Sequence, residues 1–285
     1  MAGWPWSILA VGVLCALWPV ASRGEPATDV LARIALLSDT HTLAVTNARQ
    51  AAYKANLSRA AEQVNAAKVD LVLIAGDLTE SGKVEEMKEF RAQLKQFTAP
   101  VWFVPGNHDV GNKREAAKPP VVTKERVELF TRNLGPSYFN RLRAGIRVIG
   151  INASLLESEL PEEIEMWKWL EQQLKETSGR PVLLLSHYPP FLKAADEPGG
   201  DYYNMPLAAR SRLLALMRQG RIQVVLSGHY HRPLVNHVEG HLLLTTPPIS
   251  FGLPKGKTAE GWTLVTVRAS GEVGYEFRAL KRSED

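Results

Sequence analysis

Residues 101–109 read VWFVPGNHD, a short apolar β-type run that ends in Asn, His and Asp side chains. Four other places in the chain repeat this pattern of an apolar run followed by a small polar group. The five polar groups are Asp39-Thr40-His41, Gly76-Asp77, Gly106-Asn107-His108-Asp109, His187 and Gly228-His229-Tyr230-His231. Because an open α/β sheet collects its site at the carboxyl ends of its strands, we predict that these groups converge on one site.

The segments between the first polar groups alternate between strand-like and helical patterns. Apolar runs predict strands at 33–38, 70–75 and 101–104, and apolar residues at helical spacing predict amphipathic helices at 47–67 and 84–97. This βαβαβ order indicates parallel strands joined by right-handed crossovers.

The second half of the chain continues this alternation and then changes. Helices are predicted at 123–133, 161–176 and 207–219, and strands at 146–151, 182–185 and 222–226. Beyond position 231, the strand-like runs 242–245, 262–267 and 274–278 follow one another without a helical segment. An α/β part followed by strands predicts a second sheet packed on the first.

The composition is that of an ordinary globular protein. Of the 285 residues, 45% are hydrophobic and 22% are charged, and the formal net charge is +4. This mild excess is compatible with an anionic substrate. Since the chain has no dense Lys/Arg block interleaved with aromatic residues, we expect no nucleic-acid partner. The single cysteine, Cys15, excludes an intrachain disulfide and a thiolate metal site.

The N-terminal segment from Trp4 to Val20 is almost wholly apolar and is followed by the turn-like stretch ASRGEP at 21–26. We expect residues 1–24 to be a secretory signal peptide and residues 25–285 to be a single domain that is exported to the periplasm or secreted. The alternative is an N-terminal membrane anchor, because the segment before the apolar run lacks Lys and Arg and the run is nearly long enough to span a bilayer. We expect no membrane contact for the mature body.

The polar groups have the chemistry of metal ligands. Asp39 and His41 are two residues apart, as are His229 and His231, and at an extended strand end residues at this spacing face the same side. Oxygen and neutral imidazole ligands suit Zn, Mn, Fe or Co better than Ca or Mg. Two cations about 3.5–4 Å apart can hold a bridging hydroxide and orient a phosphoryl group. Such a pair needs a bridging anion, for which Asp77 is the candidate.

The stretch that contains Asn107 also supplies an acid–base pair. If Asn107 binds a metal, His108 lies beside the metals and can protonate a leaving oxygen. Asp109 is then expected to orient His108 and to keep its pKa near the working pH. We predict His108 and Asp109 as the catalytic residues.

With these residues in view, the motif set D-x-H, GD, GNHD, H and GHxH resembles that of the calcineurin-like metallophosphoesterase superfamily over residues 33–268. The stretches 201–204 and 227–232 also resemble vertebrate members described as protein serine/threonine phosphatases. The GNHD form also occurs in bacterial cyclic-nucleotide phosphodiesterases (class III). The resemblance implies an α/β fold, a four-layer α/β/β/α sandwich in which two mixed β-sheets are flanked by helices.

The resemblance also implies a set of ligands for two divalent or mixed-valence transition metal ions (Mn, Fe or Zn). One metal would be bound by Asp39, His41, Asp77 and His231, and the other by Asp77, Asn107, His187 and His229. His108 would be the general acid or a donor that stabilises the phosphate.

Two departures from related families bear on the substrate. Asp77 is followed by Leu78-Thr79-Glu80, so the GDxxDRG motif of the Ser/Thr phosphatases, with its phosphate-binding Arg, is absent. Glu80 stands where purple acid phosphatases carry the Tyr that binds ferric iron, which argues against that group.

We therefore predict a binuclear metallophosphoesterase that uses a hydroxide bridging two metals. Its substrate would be a phosphomonoester or a small phosphodiester, such as a phosphoprotein or a cyclic nucleotide. The alternative is a sensor that retains the metals and binds a phosphate ligand without turnover. Monoester or diester preference and oligomeric state stay open. Loops 111–122, 188–206 and 247–257 should carry specificity, and the candidates to contact substrate, with loop packing as the alternative, are Tyr188, Tyr202, Tyr203, Asn204 and Phe251.

Overall fold

The structure is a computed structural model that describes residues 29–116, 118–176, 182–199, 201–219 and 222–280. The predicted signal peptide at 1–24 lies outside these residues. Among the helices that the structure describes, none is both long and apolar enough to cross a membrane.

The strands and helices follow the predicted order, with two additional strands and one additional helical turn. The strands are β1 (Val30–Leu37), β2 (Leu71–Ala75), β3 (Val101–Val104), β4 (Phe139–Arg143), β5 (Ile146–Gly150), β6 (Val182–Leu185), β7 (Val224–Ser227), β8 (Leu234–Val238), β9 (His241–Thr245), β10 (Gly261–Arg268) and β11 (Val273–Ala279). The helices are α1 (Ala48–Ala66), α2 (Val84–Leu94), the single turn α3 (Asn107–Val110), α4 (Lys124–Leu134), α5 (Pro161–Lys175) and α6 (Leu207–Arg218).

These strands form two mixed sheets. The first sheet has the order β11-β10-β1-β2-β3, and the second has the order β4-β5-β6-β7-β9-β8. In the first sheet β1, β2 and β3 are parallel, and in the second β5, β6, β7 and β9 are parallel. Antiparallel strands complete both sheets at their edges.

Side chains that alternate between the two faces of the parallel strands form the layers of the sandwich. Ile34 and Leu36 of β1 belong to a buried cluster with Leu183 and Leu185 of β6, so this cluster lies between the two sheets. Ala35 and Leu37 point the other way and pack in the cluster that contains the apolar residues of the helices. Because side chains alternate between the faces of a strand, each sheet contacts the other sheet on one face and helices on the opposite face. The predicted four-layer sandwich of two mixed sheets and flanking helices is confirmed.

The last third of the chain differs from its prediction. The late strands do not form a separate second sheet: β10 and β11 pair onto β1 in the first sheet, whereas β8 and β9 join β7 in the second. Strands β4 and β8 were not predicted. Both are edge strands of the second sheet with few buried residues, and edge strands carry polar side chains that blur the apolar pattern.

Candidate metal centre

All five predicted polar groups lie at one edge of the sandwich. Asp39 follows β1, Asp77 follows β2 and Asn107 follows β3 in the first sheet. His187 follows β6, and the pair His229 and His231 follows β7, in the second sheet. The carboxyl ends of parallel strands from both sheets therefore meet at a single buried site, as the sequence predicted.

The backbone at this site is not extended. Positive φ angles occur at Asp39 (54°), His41 (45°), Asp77 (50°), His229 (65°) and His231 (55°). The prediction that i and i+2 side chains align on an extended strand end is therefore wrong. Asp39 and His41 do join one group of ligands, whereas His229 and His231 join different groups. Non-glycine residues in this region cost about 1–3 kcal/mol each and cluster at functional sites.

Backbone hydrogen bonds between neighbouring strand ends hold these strained turns. The N–H of Asp39 donates to Gly76 O at 3.0 Å, and the N–H of His41 donates to Asp77 O at 3.0 Å. The carbonyl of Asp39 in turn accepts from the N–H of Ser250 at 3.0 Å. Hydrogen bonds from neighbouring segments therefore hold the ligand-bearing turns in this conformation.

Two glycines allow the strand ends to approach each other. A Cβ on Gly76, whose φ is +84°, would lie 2.5 Å from His187 Nδ1. A Cβ on Gly106 would collide with the backbone N and the Oδ1 of Asp77. The glycines of the GD and GNHD groups are thus required by close packing of backbone against ligand side chains.

The first of two ligand clusters comprises Asp39, His41, Asp77 and His231, all buried, with one ligand atom from each lying within 4.8 Å of the others. His231 Nε2 lies 3.3 Å from both His41 Nε2 and Asp39 Oδ1. Asp77 Oδ2 lies 3.6 Å from His41 Nε2. This set matches the first metal site implied by the family resemblance.

The second cluster comprises Asp77, His187 and His229, with Asn107 beside them. His187 Nε2 lies 3.3 Å from Asp77 Oδ1, 3.0 Å from Asn107 Oδ1 and 3.1 Å from His229 Nδ1. Asp77 therefore directs one carboxylate oxygen towards each cluster. This placement is what a ligand that bridges two cations needs.

The outer nitrogens of the four histidines are all hydrogen bonded. His41 Nδ1 contacts Glu80 Oε2 at 3.0 Å, His187 Nδ1 contacts Ala75 O at 2.7 Å, His229 Nε2 contacts Tyr202 O at 3.0 Å and His231 Nδ1 contacts Phe251 O at 2.7 Å. Since these partners are acceptors, the outer nitrogen carries the proton and the inner nitrogen presents a lone pair to the centre.

The converging lone pairs are a test of whether metals fit. The inner nitrogens of His41 and His231 lie 3.3 Å apart. Each of them, like that of His187, also lies 3.3–3.6 Å from a carboxylate oxygen of Asp39 or Asp77. Asp39 Oδ1 is buried and has no hydrogen-bond donor among the described residues. Lone pairs that face one another in a buried pocket repel, and cations between them remove this repulsion. This set of ligand atoms therefore fits metal ions.

The charges of the pocket lead to the same conclusion. Burial would raise the pKa of Asp77, but the nearby His187 and His108 hold that pKa well below its usual range. Burial would lower the pKa of His187, but the Asp77 carboxylate outweighs it and the pKa is raised to about 9. Burial and the neighbouring His187 hold the pKa of His229 well below its ordinary value. Two buried carboxylates thus draw positive charge into the pocket, which a metal can supply in place of protons.

His108 lies at the margin of this centre and is half-buried. Its ring makes an edge contact with His41, with 4.6 Å between centroids. Its Nδ1 donates to the backbone carbonyl of Glu80 at 2.7 Å, which leaves Nε2 as the free nitrogen. The carboxylates of Asp77 and Glu80 outweigh the effect of burial and raise the pKa of His108.

The hydrogen bonds of Asp109 differ from the prediction that it orients His108, although its carboxylate does contribute to raising the pKa of His108. The Asp109 carboxylate accepts hydrogen bonds from the N–H groups of Leu78, Thr79 and Gly106 at 3.1, 2.9 and 2.8 Å, and from the Thr79 hydroxyl at 2.6 Å. Burial raises its pKa to about 6. Asp109 fixes the turn after Asp77 to the start of α3, and the carbonyl of Glu80 orients His108 instead.

Glu80 is a site residue that sequence reasoning missed. Its side chain contacts His41 Nδ1 and pairs with Arg49 at 3.1 Å. Glu80, His41 and His108 together form a third group that could hold a metal. The Glu80 carboxylate is already hydrogen bonded to His41 and ion-paired with Arg49. We therefore assign Glu80 to the residues that hydrogen bond to the metal ligands and not to the ligands themselves.

Two of the five substrate candidates, Tyr188 and Asn204, are buried. Tyr188 is fully buried, and its ring packs against His229 at a centroid distance of 4.5 Å. Asn204 is also buried, and its amide donates to Glu197 Oε1 at 2.6 Å and to Pro198 O at 3.0 Å. Tyr188 thus packs against a ligand and Asn204 packs within the loop, as the loop-packing alternative expects. Their contact with a substrate stays a prediction.

The other three candidates, Tyr202, Tyr203 and Phe251, are half-buried around the centre. The Tyr202 hydroxyl accepts from the amide of Asn107 at 3.1 Å. The ring of Phe251 packs on His231 with 4.3 Å between centroids. Their contact with a substrate stays a prediction.

Two buried cations hold the long loop 188–206 that carries the tyrosines. The Lys113 ammonium donates to the carbonyls of Gly199, Asp201 and Asn204. Arg210 of α6 donates to the carbonyls of Ala195, Glu197, Pro198 and Met205. The described loop residues 188–199 and 201–206 thus form an ordered wall of the site, which their polar, Pro- and Gly-rich sequence did not indicate.

The anchoring by Lys113 predicts a specific dependence of stability on pH. Burial lowers the pKa of Lys113 from 10.5 to about 8. Between these values the unfolded chain keeps a proton that the folded protein has lost, so the free energy of unfolding rises with pH in this window. The penalty for burying the charge is present below about pH 8 and is relieved above it.

We therefore expect the free energy of unfolding of the wild type, relative to Lys113→Met, to increase between about pH 7.5 and about pH 10, as measured by urea denaturation. Lys193→Met, which changes an exposed lysine of loop 188–206, is the matched control. A difference between wild type and Lys113→Met that is constant or falls over this range would contradict the prediction.

Comparison with known proteins places the chain among phosphoesterases. It matches the family model described as calcineurin-like phosphoesterase over residues 32–233. It is 30% identical over 178 residues to the serine/threonine-protein phosphatase CPPED1 of Danio rerio, covering 58% of this chain and 55% of that protein. It is 33% identical over 178 residues to the probable glycerophosphodiester phosphodiesterase GpdQ of Arcobacter nitrofigilis, covering 58% of each. The matches thus span little more than half the length of these relatives.

Solved structures share the fold. A dimetal phosphatase from Danio rerio superposes with a TM-score of 0.54 at 14% sequence identity, and the match covers 89% of this chain and 100% of that chain. At this identity, the similarity supports the sandwich architecture and says nothing of the substrate.

Proposed function

Since the chain belongs to the calcineurin-like phosphoesterase family, we propose that it hydrolyses phosphoric esters with two metal ions held by the two ligand clusters. One observation carries the proposal: Asp77 directs one oxygen to His41 in the first cluster and the other to His187 in the second. Relatives named as phosphatases and phosphodiesterases support a hydrolase. Mn, Fe and Zn suit this set of carboxylate, amide and imidazole ligands.

The protein residues divide the work around the reacting phosphate. Two cations bound in the clusters would activate a water molecule and neutralise charge on the phosphoryl oxygens. His108, oriented by the carbonyl of Glu80, presents Nε2 to the cleft and donates a proton to the leaving oxygen. Tyr202 fixes the amide of Asn107, and so the direction of its ligand oxygen.

We further propose a small phosphomonoester, phosphodiester or phosphoprotein as the substrate. The chain lacks the Arg of the GDxxDRG motif, so substrate phosphate is held chiefly by the metals, His108 and the surrounding loops. We propose export from the cytoplasm on the basis of the apolar segment Trp4 to Val20.

The test uses metal-free protein, reconstituted with Mn, Zn or Fe and assayed on p-nitrophenyl phosphate and bis-p-nitrophenyl phosphate. The proposal predicts turnover that requires metal, and the ratio of the two rates identifies a monoesterase or a diesterase. Stoichiometric metal binding without turnover of either ester would contradict it.

A further inference from the structure

A cleft of about 430 Å³ opens beside the metal centre, a size that suits a small ligand. Its lining includes Asn107, His108 and Tyr202 from the centre, and Lys83, Lys118 and Arg126 from the surrounding elements. The proposed proton donor and three cationic side chains therefore face the same space.

The three cations have no neutralising partner among the described residues. Within the part of the chain that the structure describes, Lys83, Lys118 and Arg126 form no ion pair, whereas other surface cations do, such as Lys54 with Glu89 at 2.9 Å. Glu80 also lines the cleft, but its carboxylate is already engaged by His41 and Arg49. The cleft therefore presents excess positive charge to whatever enters it.

Lys118 is connected to the metal centre through an aromatic ring. Its Nζ lies 3.9 Å from the centroid of the Tyr202 ring, a cation–π contact. The hydroxyl of Tyr202 accepts from the Asn107 amide at 3.1 Å, and its carbonyl contacts His229 Nε2 at 3.0 Å. This chain of contacts fixes the position of the cation relative to the ligands.

We propose that the cleft receives a leaving group that carries a further anionic substituent, a carboxylate or a second phosphate. This inference rests on the proposed function. Because His108 lines the cleft, the leaving oxygen lies on this side of the phosphorus and the rest of the leaving group extends towards Lys83, Lys118 and Arg126. The cations select the anionic group, and a cleft of about 430 Å³ suits a small leaving group.

Binding of two matched phosphonates to the metal-loaded protein tests this selection. The pair 3-carboxybenzylphosphonate and 3-carbamoylbenzylphosphonate cannot be hydrolysed and differ by one charge. Isothermal titration calorimetry of the wild type should give about tenfold tighter binding of the carboxylate, the size expected for a few partly exposed charge pairs. The preference should shrink in high salt, because salt screens exposed charges.

The double variant Lys83→Met/Lys118→Met removes the two exposed cations of the cleft and should bring the affinity ratio close to one. Lys168→Met, which removes an exposed cation of α5 that does not line the cleft, should keep the wild-type ratio. Equal affinities in the wild type, no affinity for either phosphonate, or a preference that survives in the double variant would overturn the inference. A protein that turns over p-nitrophenyl esters but binds both phosphonates equally keeps the proposed function and loses only this inference.

Discussion

Replacing Asp77 by Asn is expected to lower phosphoester turnover by about 10³-fold or more. Metal ions stabilise the charge of the transition state by several kcal/mol, and each 1.36 kcal/mol changes the rate by a factor of ten. The change keeps the shape of the side chain, and the amide oxygen can still accept from the N–H of His108 at the present 2.9 Å. It removes the negative charge that both clusters share. Bound metal should fall together with kcat/KM, measured by elemental analysis and by steady-state assay.

Asp70→Asn is the matched control for this change. Asp70 immediately precedes β2, whereas Asp77 follows it, and Asp70 likewise accepts a backbone hydrogen bond, from the N–H of Arg33 at 2.8 Å. This variant should retain metal and turnover. Wild-type metal content and turnover in Asp77→Asn would rule out the shared carboxylate as the core of the site.

The second large effect concerns His108. His108→Ala should lower kcat for an alkyl phosphoester by about 10²–10⁴-fold, the range of a general acid. The loss should be much smaller for the corresponding p-nitrophenyl ester, because nitrophenolate leaves without needing a proton. Steady-state kinetics on the matched pair of esters measures the difference directly.

His237→Ala, at an exposed position of β8, should leave both rates unchanged. Equal losses on the two esters would show that His108 binds the phosphate as a donor and does not protonate the leaving group. Full activity of His108→Ala on the alkyl ester would exclude both roles.

The architecture could be predicted from sequence where burial enforces a pattern. Both faces of β2, β6 and β7, and of residues 34–37 of β1, are covered, so these segments are apolar runs that end near polar ligand candidates. Their order predicted the crossovers and the common edge where the ligands meet. The pairing of β10 with β1 could not be predicted, because partner choice at a sheet edge depends on contacts distant in sequence.

The convergence of the ligand candidates was also predictable, and their immediate surroundings were not. The seven metal-binding candidates converge because each follows the end of a strand. The apolar runs that form these strands can be recognised in the sequence. The function of Asp109 depends on which N–H groups its turn brings within reach, and adjacency to His108 in sequence does not determine that. The burial of Lys113 could not be predicted either, because the three carbonyls that surround it belong to a loop about 90 positions away.

The measurement that tests the central claim most directly is a manganese titration of the metal-free protein. Bound Mn is counted by equilibrium dialysis, while turnover of the p-nitrophenyl ester that the reconstituted protein accepts is followed in the same samples. The shared position of Asp77 predicts two Mn bound per chain, with turnover that reaches its plateau only as the second ion binds. Full turnover with one Mn bound per chain would contradict a two-metal centre.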